Sequence, residues 1–271
     1  MPPLSRFWPV QRVAQDPQAA DVASAAPGDH VRPYVSLSLT TKALHFSISE
    51  LQSRMDVRQP DALELEYTRL MMGFLLWGLA PRELAMVGLG GGSLAKFCHR
   101  QLPRARLCVA EINPHVLALR DDFSIPLDST RFQIDLADGA AWLRHLAHRP
   151  EVLLIDGFDY DGQPEALSTQ RFYDDCFEAL ADGGRLVVNL HAGHTRFGQL
   201  LERIRRSFSG SVLAVPDSEG SNTIVFGLKG DPVARINAGP ARRPRGFEAP
   251  AWASLQPAFA RVASALALES A

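Results

Sequence analysis

The chain has 271 residues, 46% of them hydrophobic and 21% charged, with a formal net charge of -2 at pH 7. That size and apolar content suit a globular domain of ordinary size with a smaller appendage, and so balanced a charge offers no basic footprint for nucleic acid. Cys98, Cys108 and Cys176 lie in apolar contexts without metal-ligand spacing, which excludes a disulfide framework and reads as buried reduced thiols, with no metal expected. The longest apolar run, 70–80, is too short to span a bilayer. With no basic-then-apolar leader at the N-terminus, a cytoplasmic protein without a membrane partner is expected.

Residues 1–30 are rich in Pro, Ala and Asp without a sustained period, which predicts a loosely ordered arm. Between 31 and 60 the pattern alternates. Val35, Leu37 and Leu39 face one way and Ser36, Ser38 and Thr40 the other, and the period resumes through Leu44, Phe46 and Ile48 and around Leu51 and Met55. Period-2 alternation with short polar breaks predicts a small antiparallel β domain. After Pro60-Asp61, the residues Leu63, Tyr67, Leu70, Met71, Phe74 and Leu75 form a helical stripe within 62–80.

Strands and helices then alternate through 61–232. Apolar strands are expected up to Val87 and over 106–110, 131–134, 151–155 and 184–190. Helices are expected over 93–102, from Pro114, over 140–147, 170–180 and 195–208, and strands at 211–215 and 223–228 form a closing hairpin. This order predicts an α/β, doubly wound, mostly parallel Rossmann-like sheet. The tail, 233–271, is Pro- and Arg-rich up to Pro250, with a helix expected over 255–268.

The run Met86-Val87-Gly88-Leu89-Gly90-Gly91-Gly92-Ser93 joins a strand to a helix through clustered glycines. That is the opening of a nucleotide-binding βαβ unit, where a missing Cβ lets a ligand approach the main chain. Glu111 ends the next strand, 23 residues after Gly88, a position suited to accept hydrogen bonds from ribose hydroxyls. Further acidic residues fall at strand ends: Asp138 before Gly139, the cluster Asp156, Asp159 and Asp161, and Asp135. Ligands bind outside the carboxyl ends of such strands. Asp156 and Asp159, directly after the most apolar strand, suit the holding of a cationic substrate and acceptance of its proton. Asp135 and Asp161 read as turn or cap residues, and His191 as a structural histidine. A nicotinamide fingerprint is also conceivable in Gly88-x-Gly90-x-x-Ser93, but hydride transfer has no use for the acidic cluster.

The order glycine turn, Val-Ala-Glu-Ile-Asn at 109–113, Ala-Asp-Gly at 137–139 and Leu-Ile-Asp-Gly-Phe-Asp-Tyr-Asp-Gly at 154–162 resembles the spermidine synthase (polyamine aminopropyltransferase) family over residues 35–230. The resemblance implies a class I methyltransferase-type sheet with a small N-terminal β domain, assembled as a homodimer. It implies transfer of an aminopropyl group from decarboxylated S-adenosylmethionine to an amine such as putrescine, releasing methylthioadenosine, with no tightly bound cofactor. By the same resemblance Asp156 is the catalytic aspartate and Asp159 and Tyr67 hold the amine. Gln52, Glu111, Asp138 and Gly139 meet the nucleoside, beside the turn glycines Gly88, Gly90 and Gly91. Gly91 stands where the family carries an aspartate that grips the donor's ammonium. That departure keeps two alternatives open: an enzyme using intact S-adenosylmethionine, and a non-catalytic nucleoside-binding protein of the same fold.

Overall fold

The computed structural model describes residues 30–47, 50–78, 80–158, 162–230 and 241–269. The expected arm through residue 29, Ile48, Asp159, Asp161 and the first part of the tail lie outside the described residues, as does the Leu51 side chain. Strands β1 (Tyr34–Leu37), β2 (Thr41–Ser47) and β3 (Glu50–Asp56) form an antiparallel sheet in the order β1-β2-β3. Leu44 and Ser53 are register partners, and with Met55 they are buried. The apolar face expected on the first strand is not buried, for Leu37 is 71% and Leu39 101% exposed. Among the described residues β1 pairs with β2 alone, so it is an edge strand, and of its expected face only Val35 packs against the core.

The helical stripe begins as α1 (Glu66–Met71) and tightens into a 3₁₀ segment, Met72–Trp77, rather than continuing as one α-helix. Leu70, Met71, Met72, Phe74, Leu75 and Trp77 are all buried. A segment enclosed on every side has no solvent face to keep its period at 3.6, and short 3₁₀ runs serve well as buried connectors.

The main sheet follows the alternation. Its strands are β4 (Glu83–Val87), β5 (Arg106–Glu111), β6 (Phe132–Leu136), β7 (Val152–Ile155), β8 (Arg185–His191), β9 (Val212–Pro216) and β10 (Asn222–Leu228). They lie in the order β6-β5-β4-β7-β8-β10-β9. The first five are parallel, and β10 pairs antiparallel with both β8 and β9. The crossovers carry α2 (Ser93–Gln101), α3 (Pro114–Leu117), α4 (Gly139–Leu143), α5 (Gln170–Ala179) and α6 (Phe197–Ser207). Met86 and Val109 face a core shared with α2, whereas Val87, Leu153 and Ile155 face the core under α5 and α6. The tail forms α7 (Ala249–Ser254) and α8 (Gln256–Glu269), and α8 packs on β9 and α1. Val152, Leu153, Leu154 and Ile155 are at most 1% exposed, as a doubly covered strand requires; each such side chain is worth roughly 1.5–3 kcal/mol.

Local sequence sets the helix starts. Thr169 Oγ1 accepts from the Phe172 amide at 3.0 Å and caps α5. Thr169→Ala should therefore lower unfolding free energy by about 1 kcal/mol, read as a lower urea midpoint at unchanged m-value. The strand order reverses between β5 and β7, on either side of β4, and this switch point places the glycine turn at the floor of a cleft.

Candidate active site

A cavity of about 1220 Å³ opens beyond the carboxyl ends of β4, β5, β7 and β8 and is closed on one side by β3 and α1. Its floor is the glycine turn. Gly88 has φ 92°, and a Cβ there would lie 2.3 Å from the Asp156 carbonyl oxygen. Only glycine lets β4 end this close to the chain leaving β7. Gly90 is open, with no atom within 4 Å of where its Cβ would be. Gly91 differs: a Cβ there would lie 2.6 Å from Ser53 Oγ and 3.0 Å from the Phe123 ring. Ser53 Oγ in turn sits 3.1 Å from Ser93 Oγ. At the position where the family resemblance puts a carboxylate, Ser53 of β3 occupies the space beside the main chain and two neutral hydroxyls line the wall.

Lys96, on α2 behind the turn, is 1% exposed. Its ammonium donates to the Phe123 carbonyl at 2.7 Å and lies 3.0 Å from Met55 Sδ. It ties the loop after α3 to the small sheet, and desolvation lowers its pKa to about 8.

Glu111, at the end of β5, is 7% exposed. One carboxylate oxygen accepts from the Leu89 amide at 2.9 Å and the other from the Asn113 amide at 2.8 Å. Burial raises its pKa and the backbone donors oppose that shift. The amides of Gly90 and Ile112 add to the donors that hold the carboxylate in its charged form at the cavity wall. Asp138 lines the cavity with Gly139, but its Oδ1 also caps α4, accepting from Ala140 at 2.7 Å and Ala141 at 3.3 Å. Asp135 stands apart from the cavity lining; it is neither the turn nor the cap residue expected but lies within β6, paired with Ala110, and accepts from Trp142 Nε1 at 2.8 Å.

Asp156 follows β7 directly. Its Oδ1 accepts from Asn189 Nδ2 at 3.0 Å and its Oδ2 from the Tyr67 hydroxyl at 3.4 Å. Desolvation raises the carboxyl to about 6, against the lowering effect of those two donors. The Tyr67 hydroxyl is pushed well above its usual value by burial and by the Asp156 charge, so it stays protonated and donates. Tyr67 comes from α1, and its hydroxyl also lies 3.5 Å from the Gln52 carbonyl oxygen; Gln52 lines the same wall. Chemically the arrangement offers a carboxylate base, held by two donors, over a floor of main-chain amides.

The structure thus brings Asp156, Tyr67, Gln52, Glu111, Asp138 and the glycines to one cavity. His191, expected to be structural, is instead exposed at the mouth, near the end of β8. Sequence reasoning missed Asn189, Ser53 and Ser93. Asn189 had a signal: a lone amide inside the apolar run Leu186-Val187-Val188-Asn189-Leu190, where a buried polar group must find a partner. Ser53 had none, because a serine in an alternating strand is unremarkable. The three cysteines are free thiols, Cys98 and Cys176 buried and Cys108 half-buried. Among the described residues no His, Cys, Asp and Glu group could hold a metal ion, and no helix is long and apolar enough to cross a membrane.

No protein-family model matches the sequence. The chain is 37% identical to the polyamine aminopropyltransferase of Chromobacterium violaceum over 192 residues, which is 70% of this chain and 74% of that protein. It is 36% identical to the polyamine aminopropyltransferase of Neisseria meningitidis serogroup A over 193 residues, 70% and 73% of the two chains. Among solved structures it resembles a spermidine synthase in complex with the transition-state analogue AdoDATO, with a TM-score of 0.57, 20% identity, and coverage of 88% of this chain and 89% of that one. It also resembles human methyltransferase-like protein 13 in complex with SAH, with a TM-score of 0.54, 22% identity, and coverage of 73% and 92%. The structural likenesses establish the fold; the sequence identity, sustained over more than two thirds of both chains, establishes descent. The chain belongs to the polyamine aminopropyltransferase family.

Proposed function

We propose that the protein transfers an aminopropyl group from decarboxylated S-adenosylmethionine to an amine acceptor such as putrescine, releasing methylthioadenosine, with the donor as co-substrate and no tightly held cofactor. The observation that carries this reading is Asp156: a carboxylate raised to about 6 at the floor of the cavity, held by Asn189 and Tyr67. The names of the relatives agree with it. In this reading Glu111 takes the ribose hydroxyls, and Asp138 takes the adenine amino group with the oxygen not used for capping. Gln52 meets the nucleoside from the β3 side, and Gly88, Gly90, Gly91 and Gly139 admit it to the backbone. Tyr67 and Asp159 hold the acceptor. The nitrogen lone pair attacks the carbon beside the sulfonium, the carbon–sulfur pair leaves on a neutral thioether, and the displaced N–H proton passes to Asp156. Since a sulfonium is already a good leaving group, positioning supplies much of the rate. A cytoplasmic homodimer completes the reading, on the family resemblance alone.

The test is direct. Purified protein mixed with the decarboxylated donor and putrescine should release methylthioadenosine, measured by chromatography; no release with any di- or polyamine overturns the proposal. The pH profile follows from Asp156. Its raised pKa means the basic form is present above about pH 6 and lost below it, so kcat/KM should fall about tenfold per pH unit on the acid side.

One observation favours a second reading, in which intact S-adenosylmethionine is the donor. With Ser53 filling the space beside Gly91, no carboxylate at that position repels the donor's own carboxylate. Thermal shifts with the two donors decide between them, because a ligand of the folded state stabilises it in proportion to the logarithm of its concentration over Kd.

A further inference from the structure

The net charge of -2 conceals a separation of charge that only the fold creates. Among the described residues the cavity lining holds seven Asp and Glu against two Arg and no Lys. The amino ends of the parallel strands, about 17 Å away along five-residue strands, are basic instead. β4, β5 and β6 are adjacent and parallel, and an arginine stands before each of them. Arg82 directly precedes β4, Arg104 lies two residues before β5, and Arg131 directly precedes β6. The Arg82 carbonyl accepts from the Arg106 amide at 2.7 Å and the Arg131 carbonyl from the Leu107 amide at 2.9 Å. With neighbouring strands ~4.8 Å apart, the three strand entrances span about 10 Å. The tail adds Arg242, Arg243 and Arg245 beside them. A Cβ on Gly246 would lie 2.8 Å from Pro103 Cγ, and the Phe247 ring packs on Phe97 of α2 with centroids 5.7 Å apart. Glu248 then accepts from Arg100 at 2.9 Å and Gln101 at 3.1 Å, at the end of the same helix. These contacts fix the tail against the turn that carries Arg104.

Arg82, Arg104, Arg242, Arg243 and Arg245 are exposed, and among the described residues none of them, nor Arg131, forms an ion pair. Arg131 donates to the His99 and Ala105 carbonyls at the end of α2 and keeps its charge uncompensated. The carboxylates close by are engaged: Glu83 with Arg106, Glu248 with Arg100, and Glu151 with the main-chain amides of Arg82 and Glu83. None of the exposed large hydrophobic side chains falls in these segments. That composition speaks against a protein partner, whose interface has an apolar core, and against a membrane surface, which takes up apolar side chains. An array of guanidiniums with neither feature matches phosphates, whose oxygens the planar fork pairs with. We infer that this face binds the phosphate backbone of a nucleic-acid duplex without reading its bases. No aromatic ring is exposed there to stack on splayed bases, whereas a duplex keeps its bases stacked and presents a charge every ~1.7 Å. The acidic cavity lies at the opposite end of the strands and repels the same polymer, so the bound duplex leaves the cavity open. The inference goes beyond the aminopropyl-transfer reading and stands whichever donor the protein uses.

The experiment follows the fluorescence anisotropy of a labelled DNA duplex of about 20 base pairs, titrated with the full chain between about 50 and 200 mM salt. The wild type should bind with a Kd on the order of 1 µM at the lowest salt. Five phosphate contacts predict that log K falls against log salt with a slope of about -4.5. R104Q/R245Q should weaken binding about tenfold or more at the lowest salt and make the slope shallower by about 1.8, as loss of two contacts requires. R58Q/R171Q removes two exposed arginines elsewhere on the surface and should bind as the wild type does. Thermal melting checks that each variant is folded, and R82Q/R242Q takes the place of R104Q/R245Q if that protein does not fold. A wild-type Kd above about 100 µM at the lowest salt, or a slope shallower than about -2, overturns the inference. So does an equal loss in R58Q/R171Q, which would make the binding a property of total charge. Polyglutamate, or vesicles of phosphatidylcholine with about one third phosphatidylserine, binding as tightly as the duplex at the same salt would assign the face to another partner and overturn it as well.

Discussion

Asp156→Asn is expected to lower kcat by about 10³-fold, within the range for loss of a positioned general base, while binding of methylthioadenosine stays within twofold. The substitution keeps the shape and its amide oxygen still accepts from Asn189 Nδ2, while the Tyr67 hydroxyl turns from donor to acceptor of the new NH2, so the loss falls chiefly on the proton transfer. A turnover within tenfold of the wild type would remove Asp156 from the chemistry. The same variant makes a second measurement possible on stability. The carboxyl of Asp156 is raised to about 6 in the folded protein from a reference of 3.8. Between those values the folded state holds a proton that the unfolded state has released, so the group's contribution to stability falls as pH rises through that window and is flat above it. The amide that replaces the carboxyl in the variant carries no such penalty. At neutral pH the variant should melt no lower than the wild type, and its stability should lack that fall between about pH 4 and pH 6. An inactive protein that is equally or more stable is the signature of a group held in place for chemistry.

Gly88→Ala should act in the opposite way, through structure first. The residue has φ 92°, and its new Cβ would meet the Asp156 carbonyl oxygen at 2.3 Å and the Gly157 Cα at 2.9 Å. These are main-chain atoms of the segment leaving β7, and that segment is fixed by the Asp156 amide donating to the Val87 carbonyl at 2.9 Å. Nothing at the contact is a flexible side-chain end, so the strain cannot be relieved locally. A loss of about 3–5 kcal/mol is expected, in the range reserved for severe backbone and packing conflicts, with turnover lost because Asp156 is displaced. Gly90→Ala supplies the control two residues away. Its φ of 53° costs roughly 1–2 kcal/mol for an L-residue, but its Cβ meets no atom within 4 Å. That variant should unfold only slightly earlier in urea and lose affinity for the nucleoside instead. Equal stability losses in the two variants would show that the close approach of β4 and β7 is not what Gly88 serves.

How far the sequence went depended on whether a property was periodic or local. The alternation of apolar strands and helices, the glycine turn and the acidic residue after β5 are all written within short windows, and each element from β4 to β10 falls where its pattern put it to within a few residues. The segment 62–80 did so only in part, because Glu66–Met71 is helical whereas Met72–Trp77, almost wholly buried, tightens to 3₁₀, and the outward-facing Leu37 and Leu39 did not, because alternation says which residues share a face but not whether that face is covered. In the site, Asp156, Glu111 and the glycines were legible from position after a strand. Asp138 was legible too as a residue at the cavity, although its capping of α4 emerged only from its hydrogen bonds.

The sequence by itself determined the fold class, the family resemblance and the strand ends at which the chemistry would sit, because these follow from periodicity and from backbone rules that act over a few residues. The tertiary structure alone decided what those ends meet. Ser53 of β3, 38 positions before Gly91, fills the space beside it. Asn189 of β8 and Tyr67 of α1 converge on the two oxygens of Asp156 from 33 and 89 residues away. Such contacts depend on strand order and on how an appended sheet packs over a turn, and no window of sequence contains both partners. The charge state of Asp156 belongs to the same class, since desolvation is a property of everything that surrounds a carboxyl group and not of its neighbours along the chain.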